Sequence, residues 1–139
     1  MENGSSRWLE RLETYKKAMA RLTETVLLYT HQSLSPLEKD GMVQRFEYTQ
    51  ELAWKLLKNY IEYQGASQKL TGSRDVIRQG VASGLLSDPD TWFDMLESRN
   101  TTSHVYDEQT EADVLDKIIS QYYPVLNRLK ETMEQIAAK

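Results

Sequence analysis

An arginine, a histidine and a tyrosine lie close together in the C-terminal half of the chain, as Arg99, His104 and Tyr106. Arginine carries a permanent positive charge on a planar fork that can hold two phosphate oxygens, and histidine exchanges a proton near neutral pH. These groups can cleave RNA without a metal: the 2′-hydroxyl attacks the adjacent phosphorus, His104 acts as general base or acid, and Arg99 stabilises the developing charge. Asn100, one turn before His104, can orient the imidazole or bind phosphate, and Ser103 is a further supporting candidate.

The spacing of the arginine and the histidine is a weak signal by itself, because His104 could equally be a helix C-terminal residue satisfied by the backbone. The preceding residues add a second signal. If a helix opened by Asp88-Pro89 continues at about 100° per residue, its apolar stripe of Trp92, Met95 and Leu96 runs on into Arg99, Ser103 and Tyr106. Unpaired polar groups on a buried face cost about 1–3 kcal/mol each, so a functional site is one explanation for this change.

Helix geometry restricts how Arg99 and His104 can act together. Five residues of α-helix separate the two positions by about 7.5 Å along the axis and by about 140° around it. One straight helix therefore aims the two side chains in different directions. Two copies of the helix meeting across a two-fold axis would place two arginines and two histidines around one groove, so we expect a homodimer.

The composition bounds the class of protein. At 139 residues the chain is predicted to be one domain, residues 1–139, that buries about two thirds of the surface its unfolded form exposes. With no cysteine it has no disulfide, thiolate metal site or cysteine nucleophile, which suits the cytoplasm. Two histidines are too few for a typical histidine-rich metal site, and neither a metal nor another cofactor is predicted.

Charge and hydropathy narrow the range of partners. No segment approaches the roughly 20 apolar residues that span a bilayer, so we expect no membrane partner. The net charge of −4 gives no overall attraction to nucleic acid, although a local cationic cleft is compatible with it.

Apolar residues recur with helical spacing along most of the chain. The pattern predicts long helices over residues 6–32, from about Pro36 to Gly65, from Pro89 onward and from Thr110 towards the C-terminus, with a short helix over 74–81 capped by Ser73. No strand pattern appears. The sequence therefore predicts an all-α protein, an up-and-down four-helix bundle with an additional short helix.

Local signals mark two points along these helices. Ser35-Pro36-Leu37-Glu38 has the form of a capping box with proline at the first helical position, which predicts the start of the second helix. Pro124 falls inside the last helix and is expected to bend it near Tyr122 and Tyr123.

Two pairs of charged residues have two interpretations each. Glu47 and Glu51 are spaced for ion pairs with lysines on their own helix, but they could instead line a cleft beside Arg99. Arg74 and Arg78 lie four residues apart and could form a phosphate-binding patch, although solvated arginines are common on surfaces.

The longer motif is more specific than the spacing of two residues. Arg99-x-x-x-x-His104-x-Tyr106 resembles the signature of HEPN domains, and specifically that of toxins paired with minimal nucleotidyltransferases. Three further segments resemble the nucleotidyltransferase substrate-binding proteins: FEYTQELAWK (46–55), SRDVIR (73–78) and WFDMLESRN (92–100). The similarity covers almost the whole chain, and the motifs occur in the expected order.

This resemblance implies a HEPN four-helix bundle that forms a homodimer and is encoded beside a small nucleotidyltransferase. It implies a metal-independent ribonuclease toxin that acts on RNA, with Arg99 and His104 as its catalytic residues. The partner would silence the toxin by transferring AMP from ATP to Tyr106. The older family name implies a different role, in which the chain is a noncatalytic subunit that presents a substrate to the nucleotidyltransferase. A third alternative is a helical assembly domain whose motif only caps a core helix.

Overall fold

Helices make up most of the part of the chain that the structure, a computed structural model, describes. The backbone is described for residues 2–65, 70–104 and 108–139, and the side chains for 6–65, 70–98 and 111–139. No strand occurs in these ranges. The elements are α1 (Glu2–His31), α2 (Pro36–Tyr63), α3 (Ser73–Ala82), α4 (Pro89–His104), α5 (Glu108–Lys117), a π-helical turn (Ile118–Tyr122) and α6 (Tyr123–Ala137).

Four long helical units form the bundle. α5, the π-helical turn and α6 follow one another without a break, so they make one C-terminal helix. α1 packs along α2 and α6, whereas α4 packs on α3, α5 and the π-helical turn. The short α3 is the additional helix, which lies between α2 and α4. The predicted all-α four-helix bundle is confirmed.

Inter-helix contacts give the direction of each helix. Arg11 of α1 bonds to Asn59 of α2, and Arg21 of α1 accepts a bond from Arg45, so α1 and α2 are antiparallel. The C-terminal helix runs antiparallel to α1, because Tyr29 contacts Asp116 whereas Tyr15 contacts Leu126. It also runs antiparallel to α4, because Asp94 contacts Lys117 whereas Asp88 contacts Arg128. The order is therefore up, down, up, down.

The predicted apolar stripes of α1 and α2 form much of the core. α1 contributes the buried residues Trp8, Leu12, Tyr15, Met19, Leu22 and Val26, and α2 contributes Met42, Phe46, Thr49, Ala53 and Leu56. Tyr63, predicted on the same stripe, is instead 41% exposed in the last turn of α2. α1 also begins earlier than predicted, at Glu2. Its first residues are polar and carry no apolar periodicity, so the pattern did not indicate this extension.

The predicted signals at the two ends of α2 are confirmed. The Ser35 hydroxyl accepts a hydrogen bond from the backbone N–H of Glu38, and the Glu38 carboxylate accepts one from the N–H of Ser35. This reciprocal pair satisfies two backbone donors that the first turn leaves unpaired. Gly65 lies two residues after Tyr63, the last helical residue, with φ +85°, a conformation that glycine adopts without a steric penalty.

The start of α3 differs from the prediction. Ser73 is the first helical residue rather than the cap, and the capping position is Gly72, which offers no side chain. The Asp75 carboxylate accepts hydrogen bonds from the backbone N–H and the hydroxyl of Thr71 instead. A carboxylate in the first turn also interacts favourably with the positive end of the helix dipole.

The C-terminal helix changes geometry immediately before Pro124. The N–H of Tyr123 donates to the carbonyl of Ile118, a π-helical bond that widens the turn. Proline has no N–H, and its ring clashes with the carbonyl four residues earlier, so the wider turn relieves a conflict that an α-helix would retain. The disturbance lies where Pro124 predicted it. The first part of this helix begins at Glu108, two residues before the predicted start.

The end of α3 turns back sharply over Gly80. The carbonyl of Gly80 accepts the N–H groups of Leu85 and Leu86, which brings the Leu86 side chain onto the glycine. A Cβ at position 80 would lie 3.0 Å from Cδ1 of Leu86, whereas a Cβ at Gly41 in α2 meets nothing within 4 Å.

These two helical glycines predict opposite effects of substitution. Gly80→Val should lower the free energy of unfolding by about 1–3 kcal/mol, because the added atoms overpack a buried contact. Gly41→Ala should raise it by up to about 1 kcal/mol, because alanine favours the helix without meeting a neighbour. Urea denaturation followed by circular dichroism at one protein concentration measures both. Equal changes in the two variants would contradict the close packing at Gly80.

Two tyrosines anchor the C-terminal helix from inside the core. Tyr15 is fully buried, and its hydroxyl donates to the Leu126 carbonyl at 2.7 Å. Burial raises the pKa of Tyr15 well above its ordinary value, and burial is also the main cause of the raised pKa of Tyr122. Both phenols therefore stay protonated in the folded chain at pH values where they ionise in the unfolded chain.

This difference predicts a loss of stability in alkali. A phenol whose folded pKa is raised contributes its full stability below the unfolded pKa, about 10, and loses it as the pH rises further. Each such group should lower the free energy of unfolding by about 1.4 kcal/mol per pH unit in that range. Denaturation between pH 9 and pH 11 tests this for wild type and Tyr15→Phe. An identical pH slope in both proteins would contradict the expectation.

Candidate functional site

Helix α4 carries Arg99 and His104, two residues of the predicted motif, at its C-terminal end. Trp92, Met95 and Leu96 are buried in its first half, as the apolar stripe predicted. The helix continues to His104, so the backbone of residues 99–104 is helical. The side chains of Arg99, Asn100, Ser103 and His104 lie outside the described residues, and so does the whole of Tyr106.

A buried phenol holds α4 one turn before the motif. The Tyr122 hydroxyl donates to Oδ2 of Asp94 at 2.6 Å, and the Ser98 hydroxyl bonds to the same phenol oxygen. Lys117 donates to the same Asp94 oxygen at 3.3 Å. The Tyr122 ring stacks on Phe46 of α2, with ring centres 5.1 Å apart. We call Asp94, Ser98 and Tyr122 the phenol clamp.

The electrostatics of the phenol clamp keep the tyrosine neutral. Burial raises the pKa of Tyr122, the hydrogen bond to Asp94 raises it further, and the bond from Ser98 partly offsets these effects. Tyr122 therefore remains a hydrogen-bond donor at physiological pH.

Sequence reasoning missed the phenol clamp. It assigned Tyr122 to an apolar stripe and left Ser98 off the buried face of α4, yet Ser98 is only 8% exposed. The sequence signal was Pro124, which marked the irregular turn that carries Tyr122 but gave no indication of its partner.

Ion pairs attach α4 to three neighbouring segments. Asp88, just before the helix, pairs with Arg128 of α6, and Asp94 pairs with Lys117 of α5. A third acidic residue, Glu97, pairs with Arg74 of α3. Partly exposed pairs contribute only about 0–1 kcal/mol each, so these contacts orient α4 more than they stabilise it.

One of the two arginines that were predicted to form a phosphate-binding patch makes an ion pair within the chain. Arg74 pairs with Glu97, and its guanidinium lies 5.8 Å from the centre of the Phe93 ring. The structure thereby brings Arg74 beside α4, at a residue two positions before Arg99 in sequence. Arg78 is exposed one turn further along α3. A phosphate-binding role for the two arginines stays a prediction.

One of the two acidic residues on α2 forms an ion pair on its own helix, as its spacing predicted. Glu51 forms an ion pair with Lys55, one turn later on the same helix, at 3.4 Å. Glu47 lies one turn earlier and is half-buried. A cleft formed by either residue beside Arg99 stays a prediction, since the Arg99 side chain is outside the described residues.

Neither a metal-binding cluster nor a membrane-spanning helix occurs in the described part of the chain. Within residues 6–65, 70–98 and 111–139, no group of three or more histidine, cysteine, aspartate or glutamate side chains could hold a metal ion. None of the described helices combines the length and apolar character needed to cross a membrane.

The likeness to solved structures extends over most of the chain. A Thermus thermophilus protein, ttk003001694, superposes with a TM-score of 0.72 at 30% identity, over 83% of this chain and 94% of that one. HI0074 from Haemophilus influenzae, described as having the fold of a substrate binding domain of a nucleotidyltransferase, gives a TM-score of 0.76 at 25% identity, over 88% and 98%. A mutant of the toxin–antitoxin pair MntA–HepT gives a TM-score of 0.70 at 14% identity, over 92% and 98%, which shows likeness of fold alone.

Sequence comparison assigns the family. The chain is 30% identical over 81 residues to a probable ribonuclease HepT of Haemophilus influenzae, and this alignment covers 56% of each protein. The chain thus matches just over half the length of that relative. Residues 10–135 match the family described as "Nucleotidyltransferase substrate binding protein like". Because this match covers most of the chain, the protein belongs to the family of nucleotidyltransferase substrate-binding-like proteins.

Proposed function

We propose that this chain is a metal-independent endoribonuclease toxin that a minimal nucleotidyltransferase neutralises. The observation that carries the proposal is the sequence motif Arg99-x-x-x-x-His104-x-Tyr106, whose arginine and histidine lie in the last part of α4, in a chain of this family. The similarity to a probable ribonuclease supports the same conclusion.

The motif residues supply the groups that RNA cleavage needs. His104 removes the proton of the 2′-hydroxyl, whose oxygen bonds to the adjacent phosphorus while the bond from phosphorus to the 5′-oxygen breaks. A histidine returns a proton to the leaving oxygen, and the products are a cyclic phosphate and a 5′-hydroxyl end. Arg99 stabilises the extra negative charge on phosphorus, and Asn100 and Ser103 assist in holding the phosphate.

A homodimer completes this site. The backbone of α4 is helical from Pro89 to His104, so the estimated angle of about 140° between the directions of Arg99 and His104 applies. Two α4 helices related by a two-fold axis bring an arginine from one subunit near a histidine from the other.

Tyr106 is the proposed point of control. Its phenol oxygen attacks the α-phosphorus of ATP on the nucleotidyltransferase, which releases pyrophosphate and leaves AMP on the tyrosine. The adduct places a negative charge and a bulky nucleotide beside the groove, where both hinder the approach of RNA.

The family description favours a second candidate function. On this alternative the chain is a noncatalytic subunit that binds or presents a substrate to a nucleotidyltransferase. Its net charge of −4 fits an acidic binding subunit as well as it fits a toxin with a local cationic groove. This alternative predicts a stable complex with the product of a neighbouring nucleotidyltransferase gene and no cleavage of RNA.

Growth and cleavage separate the two functions. Expression of the chain alone should arrest growth, and His104→Ala should relieve the arrest and lower RNA cleavage in the presence of a chelator by about 10²–10⁴-fold. His31→Ala is the matched control, because His31 is exposed at the end of α1 and belongs to no motif. Equal growth with wild type and His104→Ala, together with no cleavage, would favour the binding subunit.

Intact-mass spectrometry tests the proposed control. Incubation with the active nucleotidyltransferase and ATP should add AMP to the wild-type chain and remove its ribonuclease activity. Tyr106→Phe should gain no AMP, whereas Tyr63→Phe, which alters an exposed tyrosine on α2, should be modified normally. AMP addition to Tyr106→Phe at the wild-type level would exclude Tyr106 as the modified residue.

A further inference from the structure

We infer that Tyr122 and Asp94 are positioning residues, which fix the rotation of α4 about its own axis and thereby aim Arg99 and His104. This inference deepens the proposed function and rests on it for the readout of activity. Its physical basis is the phenol clamp, the hydrogen-bonded group nearest to the motif in the described part of α4.

The phenol clamp acts on one side of α4 from a rigid base. Asp94 and Ser98 are four residues apart, so they lie within about 40° of each other around the helix. One phenol oxygen bonds to both, and the ring that carries it is stacked on Phe46 of a different helix. Lys117 holds the same Asp94 oxygen from the preceding turn of the C-terminal helix. Rotation of α4 would break these contacts together.

The rotation of α4 is transmitted directly to the motif. Arg99 follows Ser98 at the next position, about 100° further around the helix, and His104 follows six residues after Ser98. A rotation of roughly 20° moves a group that lies about 9 Å from the helix axis by about 3 Å. Displacements of about 1 Å are enough to lower catalytic rates by about 10²-fold.

The phenol that reaches α4 belongs to the last residue of the π-helical turn. Tyr122 and Tyr123 are consecutive, yet Tyr122 bonds to Asp94 of α4 whereas the Tyr123 hydroxyl bonds to Thr23 of α1 at 2.8 Å. The turn ends at Tyr122, and the angle between successive helical residues directs the two phenols to two different neighbours. π-Helical turns often occur at functional sites, which agrees with a role in positioning.

A pair of conservative variants isolates the effect on activity. Tyr122→Phe keeps the ring that stacks on Phe46 and removes only the hydroxyl, and Tyr123→Phe removes a comparable inter-helix hydrogen bond directed at α1. In steady-state cleavage of RNA by the purified full-length protein, Tyr122→Phe should lower kcat about 10–100-fold with KM within about twofold of wild type. Tyr123→Phe should leave both constants within about twofold. Equal effects of the two variants would overturn the inference.

Substitution at Asp94 gives an independent test. Asp94→Asn keeps an oxygen that accepts the Tyr122 hydrogen bond, whereas Asp94→Ala removes it. The asparagine variant should therefore retain a kcat several-fold above that of the alanine variant. Equal kcat values in the two variants would contradict a role for the phenol in positioning. This comparison decides the question even if Tyr122→Phe fails to fold.

Nuclear magnetic resonance separates this inference from the proposed function. The backbone amide signals of residues 99–104 and the imidazole signals of His104 should shift in Tyr122→Phe and stay at their wild-type positions in Tyr123→Phe. Unchanged motif signals in Tyr122→Phe, with a lowered denaturation midpoint, would show that the phenol clamp only stabilises the fold. If the wild-type chain cleaves no RNA, the proposed function fails, but the motif signals still show whether Tyr122 positions α4.

Discussion

The rotation of α4 is the constraint on which the rest of the site depends. Full burial of side chains such as Trp92 and Met95 stabilises the fold by about 1.5–3 kcal/mol each, and it holds α4 against the bundle. Apolar burial is not directional, however, so it sets which face of a helix points inward without fixing the exact angle about the helix axis. Hydrogen bonds are directional, so the bond that the Tyr122 phenol donates to Asp94 and the bond that it accepts from Ser98 set that angle.

Sequence reasoning predicted the features that depend on neighbouring residues. The capping box at Ser35 and the stop at Gly65 need only a few consecutive residues, and the apolar stripes need only helical periodicity. It failed where the outcome depends on contacts distant in sequence. Ser98 is buried because a phenol 24 residues later reaches it, and no local pattern in α4 indicates that contact.

The same distinction applies to the candidate site. Arg99 and His104 were predicted from residue chemistry and from the resemblance of their motif, and their common helix was predictable from the apolar pattern before them. The pairing of Arg74 with Glu97 was not predictable, because it requires α3 to lie beside α4. This pairing matters for an acidic chain. Cations from α3, α5 and α6 pair with Glu97, Asp94 and Asp88 respectively, so the negative charge at these three positions is offset.

The two candidate functions of this chain require different precision in the placement of the arginine and histidine side chains. A binding subunit must present charge to a phosphate, and arginine does so over a range of side-chain conformations. Cleavage also requires the histidine to lie within hydrogen-bond reach of a reacting oxygen, which tolerates little rotation of the helix. A chain that kept Arg99 and His104 but lost the phenol of Tyr122 would therefore retain binding before it retained catalysis. The phenol clamp supplies the kind of directional contact on α4 that the proposed ribonuclease would need.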